Sequence, residues 1–185
     1  MIVLIKTCIL ILCMTPGYST AAGLSGYNFD QVPDRSPDQA TDPLLPDELS
    51  ETEAQSITSQ GNPKSRVSAA LKISDNRINL AYRLLSESQY KSAAQEVDVF
   101  SALVRYADNY TRKLPGSKQK DRNNCFKVIE QSIFKNTRTF EAILRDLPLN
   151  YREPAERSIE EIRNIRLRAI NDLLGGGKFI NSSND

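Results

Sequence analysis

Apolar residues recurring every three to four positions from Ile78 to Tyr110, interrupted once at Ser86–Gln89, constrain this chain more than any other feature. Ile78, Ala81 and Leu85 lie before the interruption, and Tyr90, Ala93, Val97, Phe100, Val104 and Ala107 after it. That spacing follows the helical period, so each run makes an amphipathic helix with one face to bury. A connection this short forces a reversal, which makes the two helices antiparallel neighbours. Ser86-Glu87-Ser88-Gln89 fits a capping box and places the start of the second helix at Ser86 or Ser88.

The flanking segments extend the same pattern. Asn62-Pro63 supplies a capping side chain and then a proline at the first helical position, where its missing N–H costs nothing. Val67, Ala70 and Leu71 continue from there into the Ile78 run. Phe126, Ile129, Ile133, Phe140, Ile143 and Leu147 form a third stripe that Pro148 stops. Asn150-Tyr151-Arg152-Glu153 reads as a capping box for a fourth helix, whose stripe is Ala155, Ile159, Ile162, Ile165, Ala169 and Leu173. Gly175-Gly176-Gly177 ends it. The expectation is an all-α fold: an antiparallel four-helix body of two helical hairpins over residues 62–175, preceded by a disordered N-terminal region.

Residues 1–22 read as an export signal. Lys6 precedes the apolar run Cys8–Met14, Pro16-Gly17 breaks it, and Thr20-Ala21-Ala22 supplies small residues for cleavage. The run is too short to cross a bilayer, so no transmembrane anchor is expected once the signal is removed. Residues 23–61 carry one base against eight acids, a balance of −7, with prolines at 33, 37, 43 and 46. Their sparse apolar residues do not offset the cost of ordering, so this stretch is expected to be a disordered acidic linker, with transient helix over 48–56. Residues 63–178 carry 22 bases against 14 acids, a balance of +8. An acidic segment thus leads a basic body and could shield it electrostatically. Residues 176–185 read as a frayed tail.

Leu80, Ala81, Leu84, Tyr90 and Ala93 resemble the hairpin pattern of a tetratricopeptide repeat over residues 80–93. Ser88 stands where that family usually has a turn glycine, Phe100 where it prefers a small residue, and Arg105 where it prefers proline. No second copy follows about 34 residues on, so the resemblance implies a hairpin and no solenoid. The order of signal, acidic linker and helical body is also similar to uncharacterised exported bacterial helical-domain proteins. That likeness implies no activity.

The chain has no histidine. This removes the commonest general base, the usual serine and cysteine triads, and imidazole metal ligands. Glu153, Glu156 and Glu160 share one face of the fourth helix, but a di-metal bundle site needs histidines beside such carboxylates. They read as a solvated face, and no cofactor or metal is expected. Gly175–Lys178 lacks the Ser/Thr and the strand-to-helix setting of a phosphate loop. Arg112, Lys113, Lys118, Lys120 and Arg122 cluster around the breaker Pro115-Gly116 and are the candidate contact for an anion or partner. Cys125 is the one cysteine outside the N-terminal segment. It reads as a core residue, with an intermolecular disulfide dimer as the alternative.

Together these features point to an exported, periplasmic or secreted, non-enzymatic interaction or scaffold module. Its partner would be an envelope or extracellular protein, and no nucleic-acid signature is present. Binding of a polyanion or membrane surface through the basic body is the second reading. A small enzyme working without histidine is the third.

Overall fold

A computed structural model describes residues 43–175, and the described residues are helical with no strand. The elements are α1 (Glu51–Thr58), α2 (Pro63–Ser86), α3 (Tyr90–Lys113), α4 (Gln119–Asp146) and α5 (Leu149–Leu173). A 3₁₀ turn at Gly116–Lys118 joins α3 to α4. The signal reading of 1–22, the linker reading of 23–42 and the tail reading of 176–185 lie outside the described residues.

Helix α2 starts as its sequence requires. Asn62 Oδ1 accepts from the backbone N–H groups of Lys64 and Ser65 at 2.9 and 3.3 Å, with Pro63 in the first turn. The turn into α3 does not use the expected capping box. The N–H of Ser88 donates to Leu85 O at 3.0 Å and that of Gln89 to Leu84 O at 2.9 Å, the paired bonds of a Schellman helix end. Ser88 occupies its left-handed position at φ 59°, and the Ser86 hydroxyl donates back to Arg83 O at 2.6 Å. Both serines thus serve the end of α2, and α3 begins without a side-chain cap. Helix α5 begins at Leu149 behind Pro148, again without a side-chain cap, so Asn150 lies inside the helix.

Residues 51–58 depart from the linker expectation. The Ser50 hydroxyl accepts from the Glu53 N–H at 3.3 Å, and Glu53 Oε2 accepts from the Ser50 N–H at 3.0 Å, closing a capping box. Ile57 is the large apolar residue of α1 itself, while Leu45 and Leu49 precede the Ser50 cap, too sparse a set to stand out in a polar segment. Ile57 is buried against Ala70 and Ile73 of α2 and Val99, Leu103 and Tyr106 of α3, with Leu45 and Leu49 at the margin. Arg77 on α2 holds α1 in place through Glu53 at 2.7 Å and reaches Glu96 on α3 at 3.3 Å.

The residue pairings fix helix directions. Arg66 reaches Tyr106 and Arg77 reaches Glu96, so α2 and α3 are antiparallel. Glu130 meets Arg166 and the Arg145 carbonyl meets Arg152, so α4 and α5 are antiparallel. Between α3 and α5 the partners stay sixty residues apart: Asp98 with Ser158, Ser101 with Glu161, Asp108 with Arg168. A constant offset means parallel helices, and α2 and α4, which also pack together, must therefore be parallel as well. Two hairpins are stacked in the same sense.

A repeat hidden in the sequence follows from this stacking. Val67, Leu71, Ile78 and Leu85 of α2 stand 62 residues before Ile129, Ile133, Phe140 and Leu147 in and just after α4, and all eight are buried. Ala93, Val97, Phe100 and Ala107 of α3 stand in the same relation to Ala155, Ile159, Ile162 and Ala169 of α5. Even the buried polar Ser74 has a counterpart in Asn136. The repeating unit is thus nearly twice the 34-residue period that its first hairpin resembles. One continuous core joins the two units, with Phe100 and Phe140 edge to face at 5.2 Å across them.

Candidate functional site

Most of the interior charge lies between the hairpins. Asp108 on α3 is almost fully buried, and its carboxylate accepts from Arg112 Nε at 3.0 and 3.1 Å and from Arg168 Nη2 of α5 at 3.1 Å. Arg112 Nη1 also lies 2.8 Å from Asp172, and its guanidinium sits 5.1 Å from the Phe126 ring centroid. Further along α3, Arg105 forks onto Glu161, with Nε at 2.6 Å from Oε1 and Nη2 on Oε2. The Arg105 bond is the main influence on Glu161 and holds its carboxyl below the usual range despite partial burial. On the other side of the stack, Asp75 of α2 accepts from Asn136 at 2.7 Å, Lys135 at 3.1 Å and Ser132 at 3.2 Å. These groups answer one another as ion pairs and hydrogen bonds, although Arg112 Nη2 and Asp172 Oδ2 are buried without a hydrogen-bond partner.

The five basic residues expected to form one contact site are divided. Arg112 belongs to the interior network. Lys113 is exposed at the end of α3. Lys118 and Lys120 are exposed on the 3₁₀ turn and the first turn of α4, where the helix dipole adds to their positive potential. Arg122 is half-buried one turn into α4, with its Nε buried. The loop itself therefore shrinks to residues 114–118, with Lys113, Lys118 and Lys120 as the exposed cations in it and at its borders.

Cys125 corrects the disulfide expectation. Its side chain is fully buried in the joint core, and among the described residues no cysteine pair lies at disulfide distance. A bridge needs the two Cβ atoms within about 4.5 Å, which a sealed thiol does not offer to a second molecule. Burial pushes the thiol up to about 11, against a smaller opposing effect of its Thr111 hydrogen bond. Cys125 is a core residue, and no dimer forms through it.

Two surface depressions follow the seams of the stack. One lies between α2 and α4, lined by Ser68, Leu71, Lys72 and Asp75 on one side and Val128, Gln131, Ser132 and Lys135 on the other. The second lies on the outer side of the second hairpin, about 290 Å³, with Ile133 and Phe140 at its floor and Thr137, Arg163, Arg166 and Leu167 around it. In the carboxylate row of α5, Glu153 pairs with Arg157 at 2.8 Å and Glu160 with Arg163 at 3.5 Å. Among the described residues, no group of three potential metal-ligating side chains comes together, and no helix is long and apolar enough to cross a membrane.

No protein-family model, curated protein or solved structure matches this chain. The reading of function therefore rests on the residues themselves. The inter-hairpin network was the feature local sequence reasoning missed, since its partners lie sixty residues apart. The signal that could have found it is the 62-residue recurrence of Ala93-x₃-Val97 as Ala155-x₃-Ile159.

Proposed function

We propose that the chain is an exported, non-enzymatic helical interaction module, a stack of two hairpins carried behind a cleaved signal and an acidic leader. The observation that carries this reading is how the stack uses its charges. Asp75, Asp108, Glu161, Arg105 and Arg112 are the charged groups that a histidine-free enzyme would draw on, and each is bound to a partner across or within the stack. What the stack presents outward is helix faces and shallow seams. Non-enzymatic binding modules present such surfaces, whereas catalysis needs convergent, unsatisfied polar groups in a pocket.

Two experiments test it. A reporter fused behind residues 1–22 should accumulate outside the cytoplasm, and cytoplasmic retention would remove the export half of the reading. Photo-crosslinkers placed at exposed Lys118, Tyr82 and Leu149 in cells should yield discrete adducts from at least one site. An absence of adducts from all three faces, in a protein of normal abundance, would remove the interaction half.

Polyanion or anionic-surface binding is the second reading, favoured by Lys118 and Lys120 at the start of α4. It predicts heparin retention that falls steeply with salt and is reduced by Lys118→Ala with Lys120→Ala. Retention indifferent to salt or to these substitutions would exclude it.

A further inference from the structure

The 62-residue repeat makes the outer face of the second hairpin comparable, position by position, with a face whose partner is already visible. Lys72, Arg105 and Arg112 of the first hairpin lie on the side that receives the second. Their counterparts 62 residues on are Phe134, Leu167 and Leu174. These three are 63%, 59% and 64% exposed, half of the large apolar side chains that stand out in solvent among the described residues. Where the first hairpin docks through Arg105 and Arg112 and borders the seam with Lys72, the second therefore presents exposed apolar side chains.

This face is also built around a depression. Leu167 borders the 290 Å³ cleft over Ile133 and Phe140. Arg166 covers one side of the Phe134 ring at 4.8 Å and is itself held by Glu130 at 2.9 Å, which leaves the other side of the ring outward. The opposite end of the stack differs. There the outer side of the first hairpin, including Ala70, Ile73, Val99 and Tyr106, is sealed by Ile57 of α1.

We infer that the outer α4–α5 face is a homodimer interface, occupied by the same face of a second copy of this chain. Two features select a second copy. The repeat shows that this side of a hairpin docks another α-hairpin of the same kind, and α1 closes the end that a head-to-tail arrangement would need. A two-fold arrangement joins like faces and closes on itself, whereas an open stack would polymerise. Phe134, Leu167 and Leu174 then bury against their symmetry mates. Glu160 and Arg163, adjacent on α5, put both charge signs at the rim, so a two-fold can pair each with the other's opposite. The inference deepens the interaction-module reading by naming one partner. Its failure would leave the crosslinking test of that reading intact, because the probes at Lys118 and Tyr82 lie outside α4 and α5.

The test is the mass of purified residues 23–185 in solution, by sedimentation or light scattering across the micromolar range. A concentration-dependent dimer is expected. Leu167→Asp and Phe134→Asp, made separately, should each weaken it at least about tenfold while helix content and melting stay unchanged. Tyr82→Asp, an exposed apolar residue elsewhere, should leave the dimer intact. If an aspartate variant fails to fold, Thr137→Arg at the same cleft takes its place. A wild-type chain that is monomeric throughout overturns the inference, and so does a dimer that survives these substitutions. Open polymers would overturn the sealed end. A monomer that dimerises only after removal of residues 176–185 would make the chain's own tail the occupant, and would also overturn it.

Discussion

Arg168 on α5 donates to the buried carboxylate of Asp108 on α3 at 3.1 Å, and Arg112 holds the same carboxylate from one turn further along α3. The Asp108 side chain is only 3% exposed, and cations answer its carboxylate from both helices. Replacing Asp108 with Ala leaves Arg112 half-buried beside Asp172 alone, and should cost about 3 kcal/mol in urea unfolding. Arg168→Ala removes a half-exposed partner and should cost no more than about 1 kcal/mol. Equal costs would mean that the pair does not act as a buried carboxylate with two unequal partners.

Ser88 at φ 59° is the described residue other than glycine with positive φ. A side chain in the left-handed region costs about 1–2 kcal/mol, which glycine avoids at some cost in unfolded-state entropy. Ser88→Gly should therefore raise stability by about 0.5–1 kcal/mol, read as a higher urea midpoint at unchanged slope. A lower midpoint would mean that the Schellman turn is not what joins α2 to α3.

Phe140 lies at the centre of the joint core, edge to face with Phe100 across the two hairpins. Phe140→Ala should cost about 3–5 kcal/mol. Because Phe140 of the second unit packs into the core it shares with the first, far-UV signals from the whole stack should be lost in a single transition. Two separated transitions would show that the hairpins are energetically independent.

The Cys125 thiol, buried and raised to about 11, should be inert to a thiol reagent at pH 8 and react fully once the chain is unfolded. Fast reaction in the native state would mean that the core around Thr111 and Cys125 opens readily.

Glu161, lowered chiefly by its Arg105 hydrogen bonds, stabilises the stack above its unfolded value of about 4.3. That contribution is lost as pH falls through the lower folded value, so acid should weaken the wild type more than Glu161→Gln. The difference is small, because both side chains are more than a third exposed. Unfolding midpoints at pH 7 and at about pH 3 give the comparison.

The parts of the fold legible in the sequence were those set by contacts within one turn or one stripe. Ile129, Ile133 and Phe140 announce α4 by spacing alone, and Asn62-Pro63 marks the start of α2. Asp108–Arg112 and Glu153–Arg157 form the pairs that an i,i+4 spacing on a helix favours. What escaped was decided by competition or by distance. Ser86 and Ser88 could close α2 or open α3, and only the backbone bonds of the Schellman turn settle which. Helix α1 rests on Ile57, whose value depends on a surface made by α2 and α3. Arg112 counted as a loop cation until its partner sixty residues away came into view, and the candidate basic site lost it for that reason.

The stack has one sealed end and one bare end, and its amide protons should report the difference. Beneath α1, the backbone of α2 and α3 is covered on two sides, so its hydrogens leave only when the whole molecule opens. Along α5, covered on one side, they can leave by local fraying from Leu173 backwards. Exchange would then run as a gradient down the chain, slowest near Leu103 and fastest near Leu174, and a second copy seated on α5 would flatten it.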